Sequence, residues 1–108
     1  MVRKFRIHPL AQADMDGVLG ETLEVFGLHQ FFRYEALTQK ALSHVIDYPK
    51  DGRPLPFPKG FLYYRLKWLG QNASHRFMYR IVPDGTVEIL RFLHDRMKPS
   101  LHIPGDIR

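Results

Sequence analysis

His94 is the residue in this chain best suited to move a proton. It closes an apolar run, Glu88-Ile89-Leu90-Arg91-Phe92-Leu93, and opens a polar one, His94-Asp95-Arg96-Met97-Lys98-Pro99. An imidazole titrates near neutral pH and serves as acid or base there. Arg65, Lys67 and Arg80 are candidate phosphate ligands, and an arginine offers two parallel N–H donors. Tyr64 or Trp68 offers a ring for a base to stack on. His94, Arg80, Arg65 and Lys67 are thus the candidate catalytic set for cutting RNA through its 2′-hydroxyl. That route needs a base, an acid and a cation for the phosphorane charge.

The set is incomplete. Glu88 lies at the far end of its strand from His94, no aromatic residue follows Phe92, and the tail adds only His102. The plainer reading of His94, a strand-end residue bonded to backbone, is favoured over catalysis. His8, His29, His44 and His75 share no metal-ligand spacing and the chain has no cysteine, so neither a metal nor a cofactor is implied.

Charge is unevenly spread. Residues 1–48 hold 5 Lys/Arg and 6 Asp/Glu; residues 49–108 hold 11 and 5. The positive field of the second half suits phosphates or an acidic protein. The length of 108 residues predicts one domain, 1–108, with one core. MVRKFRIHPL has no apolar run suited to a signal peptide or a membrane span. The expectation is a cytoplasmic protein with no membrane partner.

The elements that must position these residues follow from periodicity. Residues 3–8 alternate, with Phe5 and Ile7 on one side, and predict a short strand ended by Pro9. Ala11, Met15, Val18, Leu19, Leu23 and Phe26 form a helical face that stops at Gly27. Asp14 and Asp16 fall in the expected first turns, where the helix dipole favours them. Gly17 and Gly20 weaken this helix or admit a second backbone. A second helix is predicted from about Gln30 to Asp47, with Tyr34, Leu37, Ala41, Val45 and Tyr48 in one row. A short link makes the two an antiparallel hairpin. Residues 49–60, with four prolines and two glycines, predict a stiff connector.

Three strands follow, over 61–69, 74–82 and 86–93, paired antiparallel in sequence. The last is nearly all apolar and predicts an interior strand covered on both faces. The fold class is α+β, a two-layer β-α-α-β-β-β with a helical hairpin on a small, mainly antiparallel sheet. Alternation then puts Arg65, Lys67, Arg76 and Arg80 on the opposite face, read as an open basic surface.

Four segments resemble the ParE/RelE toxin superfamily of bacterial type II toxin–antitoxin systems, in its ParE-like branch. FRIHPLAQADMDGV is similar to the opening strand and helix of that family. YPKDGRP resembles its punctuation after the second helix, HRFMYRIVPDGTVEILRFLH its characteristic hairpin, and DRMKPSLHI its tail. Lys98 stands where the family commonly has Asp, and Ile103 where it commonly has Leu. The resemblance implies a toxin that inhibits DNA gyrase, blocks replication in the manner of a plasmid-stabilisation system, and is neutralised by a cognate antitoxin. The alternative on the same scaffold is a RelE-like ribosome-dependent mRNA endoribonuclease. In the first reading Arg65, Lys67, Arg80, Arg91, Arg96 and Lys98 contact the target without cleaving a bond. The antitoxin, as an apolar helix or an added strand, meets Phe31, Phe32 and Tyr34 in a possible hetero-oligomer.

Overall fold

The computed structural model of the chain describes residues 4–68 and 71–107. The order is β1 (Phe5–Ile7), α1 (Pro9–Phe26), α2 (Leu28–Asp47), β2 (Arg53–Pro54), β3 (Leu62–Trp68), β4 (Gln71–Ile81) and β5 (Val87–His94), with 3₁₀ turns at Pro49–Asp51 and Pro99–Leu101. One sheet runs β1-β5-β4-β3-β2. Its consecutive long strands pair antiparallel, and β1 lies parallel to β5. The expected class is observed: two helices on a mixed, mainly antiparallel sheet. Arg3 and Leu69, the outer ends of two expected strands, lie outside the described residues.

His8 and Gly27 set the helix boundaries. His8 Nδ1 accepts the Leu10 N–H, and Pro9 enters at the first helical turn, where its missing N–H costs nothing. Gly27 alone joins the helices at φ 85°, a conformation open to glycine. Gly17 and Gly20 face open space, so no second backbone approaches them.

The core lies between the hairpin and the sheet. Ala11 and Met15 of α1 and Ala41, Leu42 and Val45 of α2 meet Leu66, Phe77, Tyr79, Val87, Ile89 and Phe92. A bulge between Met78 and Tyr79 makes Leu90 the extra residue on β5. Val87, Ile89 and Phe92 then all reach the helix side, while Leu90 points to the other. The interior strand expected over 86–93 is therefore β5.

The opposite face is not the open basic surface that alternation predicts. Met78 and Leu90 are buried there beneath Leu55 and Ile103, with Phe61, Tyr63 and Ile107 alongside. The connector and the tail supply the cover. Leu55 N–H bonds the Phe61 carbonyl at 2.9 Å, and Asp106 bonds His8 Nε2 at 2.9 Å. A two-residue strand inside the proline-rich connector escapes periodicity because it is too short to show any.

Asp14 also departs from expectation. The helix starts at Pro9, so Asp14 and Asp16 lie beyond its first turn. The Asp14 carboxylate instead grips Arg91 at 2.7 and 2.9 Å and accepts the Phe92 N–H at 3.0 Å. β1 ends its pairing at Ile89. Beyond that point a side chain from α1 takes over as acceptor at the edge of β5.

Gly52 has a steric role. Tyr79 is fully buried and donates its O–H to the Pro49 carbonyl at 2.6 Å. A Cβ added at Gly52 would lie 2.7 Å from Tyr79 Cζ. Gly52→Ala is expected to cost about 1–3 kcal/mol by overpacking and to lower Tm by roughly 5–15 °C. Thermal unfolding checks this, with Gly105→Ala, at a glycine facing open space, as the unperturbed comparison.

Candidate functional site

The β4–β5 register sets His75 directly opposite His94. Their rings meet edge to face at 5.2 Å and 85°, and His75 stacks on Phe92 at 5.2 Å and 18°. Tyr34 reaches down from α2 to place its hydroxyl 2.5 Å from His75 Nδ1. Burial, helped by the Asp95 charge, pushes the Tyr34 phenol up to about 12. Burial first and His94 second bring His75 down to about 4, against the pull of Asp95. At neutral pH both groups are uncharged. Tyr34 therefore donates, and the His75 proton sits on Nε2.

Asp95 completes the cluster. Its N–H bonds the Ser74 carbonyl at 2.8 Å, and its carboxylate pairs with Arg65 from β3. Arg65 stands directly across from Arg76 in the sheet, a like-charge pair that destabilises unless relieved. Asp95 relieves one side. On the other, Arg76 lies 5.1 Å from the centre of the Tyr63 ring and donates to the Met97 carbonyl at 3.0 Å.

The candidate catalytic set is only partly brought together. Arg65 pairs with Asp95, the residue after His94, and stands across from Arg76, the neighbour of His75 on β4. His94 Nδ1 accepts the Arg96 N–H at 3.1 Å, the backbone-bonded role. Arg80 lies toward the other end of β4 and pairs with Glu88 at 2.6 Å, which also holds Arg6 at 3.0 Å. Lys67 follows an irregularity in the β3–β4 pairing and hangs over Tyr64 at 5.9 Å. The Trp68 side chain, the other stacking candidate, lies outside the described residues. The sequence reading puts Tyr34 on the antitoxin surface and does not join it to His75 and Asp95. Sequence carried no signal for the pair: counted from the turn closed by Val82 and Thr86, His75 falls opposite Leu93, and only the extra residue Leu90 shifts the pairing to His94.

The cations named as target contacts divide in two. Arg65, Arg80 and Arg91 are each held by a carboxylate of the same chain. Arg91 also donates to the His102 carbonyl at 3.2 Å, which is how the tail's histidine enters the structure. Hydrogen bonding to Asp14, ahead of burial, raises the Arg91 pKa further. Lys67, Arg96 and Lys98 are exposed and, among the described residues, carry no ion pair. Arg53, not singled out from sequence, is in the same condition.

The hairpin tip is apolar. Phe32 is 56% exposed and Phe31 packs against it at 5.4 Å, whereas Tyr34 is turned inward to His75. Val25, Phe26 and Leu28, each more than half exposed, extend the patch. Periodicity had put Phe26 on the core face, but the end of α1 runs past the sheet. Beside the tip a groove of about 910 Å³ runs between α2 and β3, with Leu37, Ala41 and Tyr64 along it and Lys40 and Lys67 at its rim. Tyr48, expected in the core row, is 60% exposed there. It stacks in series with His44 and Tyr64 at 5.1 and 5.0 Å.

The family described as ParE toxin of type II toxin–antitoxin system, parDE, matches residues 5–99. The chain belongs to the ParE toxin family. Toxin ParE1 of Mycobacterium tuberculosis, in strains CDC 1551 / Oshkosh and ATCC 25618 / H37Rv, is 29% identical over 97 residues, or 90% of this chain and 94% of that protein. Among solved structures, the chromosomal ParDE TA system from P. aeruginosa superposes with a TM-score of 0.71 at 17% identity, covering 86% of this chain and 96% of that one. The toxin–antitoxin complex RelBE2 from Mycobacterium tuberculosis gives 0.58 at 23% identity, covering 87% and 99%. Both share the fold of this ParE-family toxin. No described helix is long and apolar enough to cross a membrane.

The histidine cluster predicts a pH dependence. His75 titrates near 4 in the folded chain and near its ordinary 6.5 when unfolded. Between those values the unfolded chain binds the extra proton, so stability falls as pH drops from 6.5 toward 4, by on the order of 2 kcal/mol once solvent screening of this partly exposed ring is allowed for. The paired variant Tyr34→Phe/His75→Phe keeps the stack and leaves no orphaned hydroxyl. Urea unfolding across this range should show a flatter profile in the variant than in the native chain.

Proposed function

We propose that this ParE-family toxin arrests growth by binding DNA gyrase and blocking replication, and that a cognate antitoxin neutralises it. The match over residues 5–99 to the ParE family carries this reading. The target surface consists of the unpaired cations after β5, Arg96 and Lys98, together with Lys67. Arg65, Arg80 and Arg91 hold the scaffold that presents them. The antitoxin covers the hairpin tip around Phe31 and Phe32 and follows the groove beside Lys40 and Lys67 with an acidic, apolar segment. Apolar residues there supply affinity and the rim lysines supply sign.

A second reading, a ribosome-dependent mRNA endoribonuclease of the RelE type, is supported by the His75–His94 pair. It would use His94 as the proton-transfer group and Arg65 as the phosphate ligand.

Induced expression in a bacterial host separates the two. The gyrase reading expects filamentous arrest with DNA-damage signalling, and accumulation of cleaved DNA when the purified chain is added to gyrase. His94→Ala should retain both, and Arg96→Glu/Lys98→Glu should lose them. Rapid translation arrest with cleaved transcripts, abolished by His94→Ala, would overturn it in favour of the nuclease.

A further inference from the structure

A pocket of about 280 Å³ opens at the outer edge of β3, lined by Asp51, Arg53, Tyr63, Tyr64, Arg65 and Lys67. β2 pairs only with Leu62 and Tyr63. From Tyr64 onward the outer edge of β3 has no neighbouring strand among the described residues. Three cations and two phenols line this pocket. The carboxylate among them, Asp51, bonds His44 Nε2 at 2.9 Å, and the cations of the lining outnumber it three to one. Arg65 is held by Asp95, whereas Arg53 and Lys67 have no carboxylate among the described residues.

We propose that this pocket binds a phosphate of a nucleic-acid backbone, with Arg53 and Lys67 as its charged contacts and Arg65 as a pre-oriented donor beside them. Guanidinium groups suit paired phosphate oxygens, and phenol hydroxyls donate to the same acceptors. The Tyr48–His44–Tyr64 series leads away from the pocket, and Tyr48 at its end is exposed, as a stacking platform for an unpaired base requires. An acidic peptide fits the pocket less well. The pocket lining is tyrosine and charge, and the apolar groove that would hold peptide side chains is lined by α2 as well. A second copy at this edge would bring identical cations together. Assigning the phosphate to DNA held by gyrase rests on the function proposed above; affinity for nucleic acid does not.

The test is fluorescence anisotropy of the full chain with a labelled single-stranded DNA of about 20 nucleotides, the same sequence as RNA, its DNA duplex, and a polyglutamate peptide, across a salt series. Binding to the oligonucleotides is expected to weaken steeply with salt. Arg53→Gln/Lys67→Gln should weaken it about tenfold and reduce the log–log salt slope by about 1 to 2. Lys59→Gln, at an exposed loop lysine outside the pocket, should change neither. Preference for the DNA or RNA arm identifies which nucleic acid supplies the phosphate. The proposal is overturned by no oligonucleotide binding, by an unchanged slope in a double variant of native Tm, or by polyglutamate binding in preference to every oligonucleotide. Growth arrest is scored separately. Arrest by the double variant with nucleic-acid binding lost would sever the pocket from toxicity. A native chain that binds DNA but arrests nothing would overturn the toxin reading and leave the pocket standing.

Discussion

Carboxylates decide what the arginines of this protein do. Asp14 takes Arg91, Glu88 takes Arg80, and Asp95 takes Arg65. The side chains of these pairs are all no more than about a third exposed, where removing one partner costs more than forming the pair gains. Each pair therefore fixes geometry. Asp14 holds α1 to β5 after β1 has ended, Glu88 joins β4 to β5, and Asp95 ties the exit from β5 to β3. Arg53, Lys67, Arg96 and Lys98 have no such partner among the described residues, and they are the cations proposed to meet other molecules.

The second constraint is that the sheet is covered twice. Helices α1 and α2 bury one face, and the other is closed by Leu55 from the connector and Ile103 from the tail. The tail is held by backbone and side-chain contacts, including Asp106 on His8, the same histidine that caps α1. Asp106 sits below its ordinary carboxylate pKa because His8 bonds it. The two ends of the chain thus meet at one residue. A polar stretch such as 94–102 follows β5 because it must leave the sheet, turn at Met97, and return across the far face.

Much of this fold was legible in the sequence. Alternation and helical spacing gave both helices, the three long strands and the interior character of β5, because each burial pattern spans enough residues to repeat. The far face was misread for a physical reason. Leu55, Ile103 and Ile107 are isolated apolar residues in loops, and no period marks a loop that folds back on a sheet. The ion pairs were equally hidden. Asp14 and Arg91 are far apart in sequence, and a carboxylate in an early helical turn looks like a dipole partner until the strand beside it is known. The backbone bond of His94 was anticipated, but its pairing with His75 was not, because that pairing depends on strand register. The exposed Phe26 and Tyr48 show the opposite error, in which helical spacing is counted to the last residue of α1 and past the end of α2 at Asp47.

The most direct measurement is a double-mutant cycle on Asp14 and Arg91, using Asp14→Ala, Arg91→Met and the pair, read by urea unfolding at neutral pH. A structural ion pair at this edge predicts about 3 kcal/mol lost for Asp14→Ala, with a coupling energy of roughly 1–3 kcal/mol. Additive losses, each below about 0.5 kcal/mol and with no coupling, would contradict it and return Arg91 to the exposed, target-facing cations.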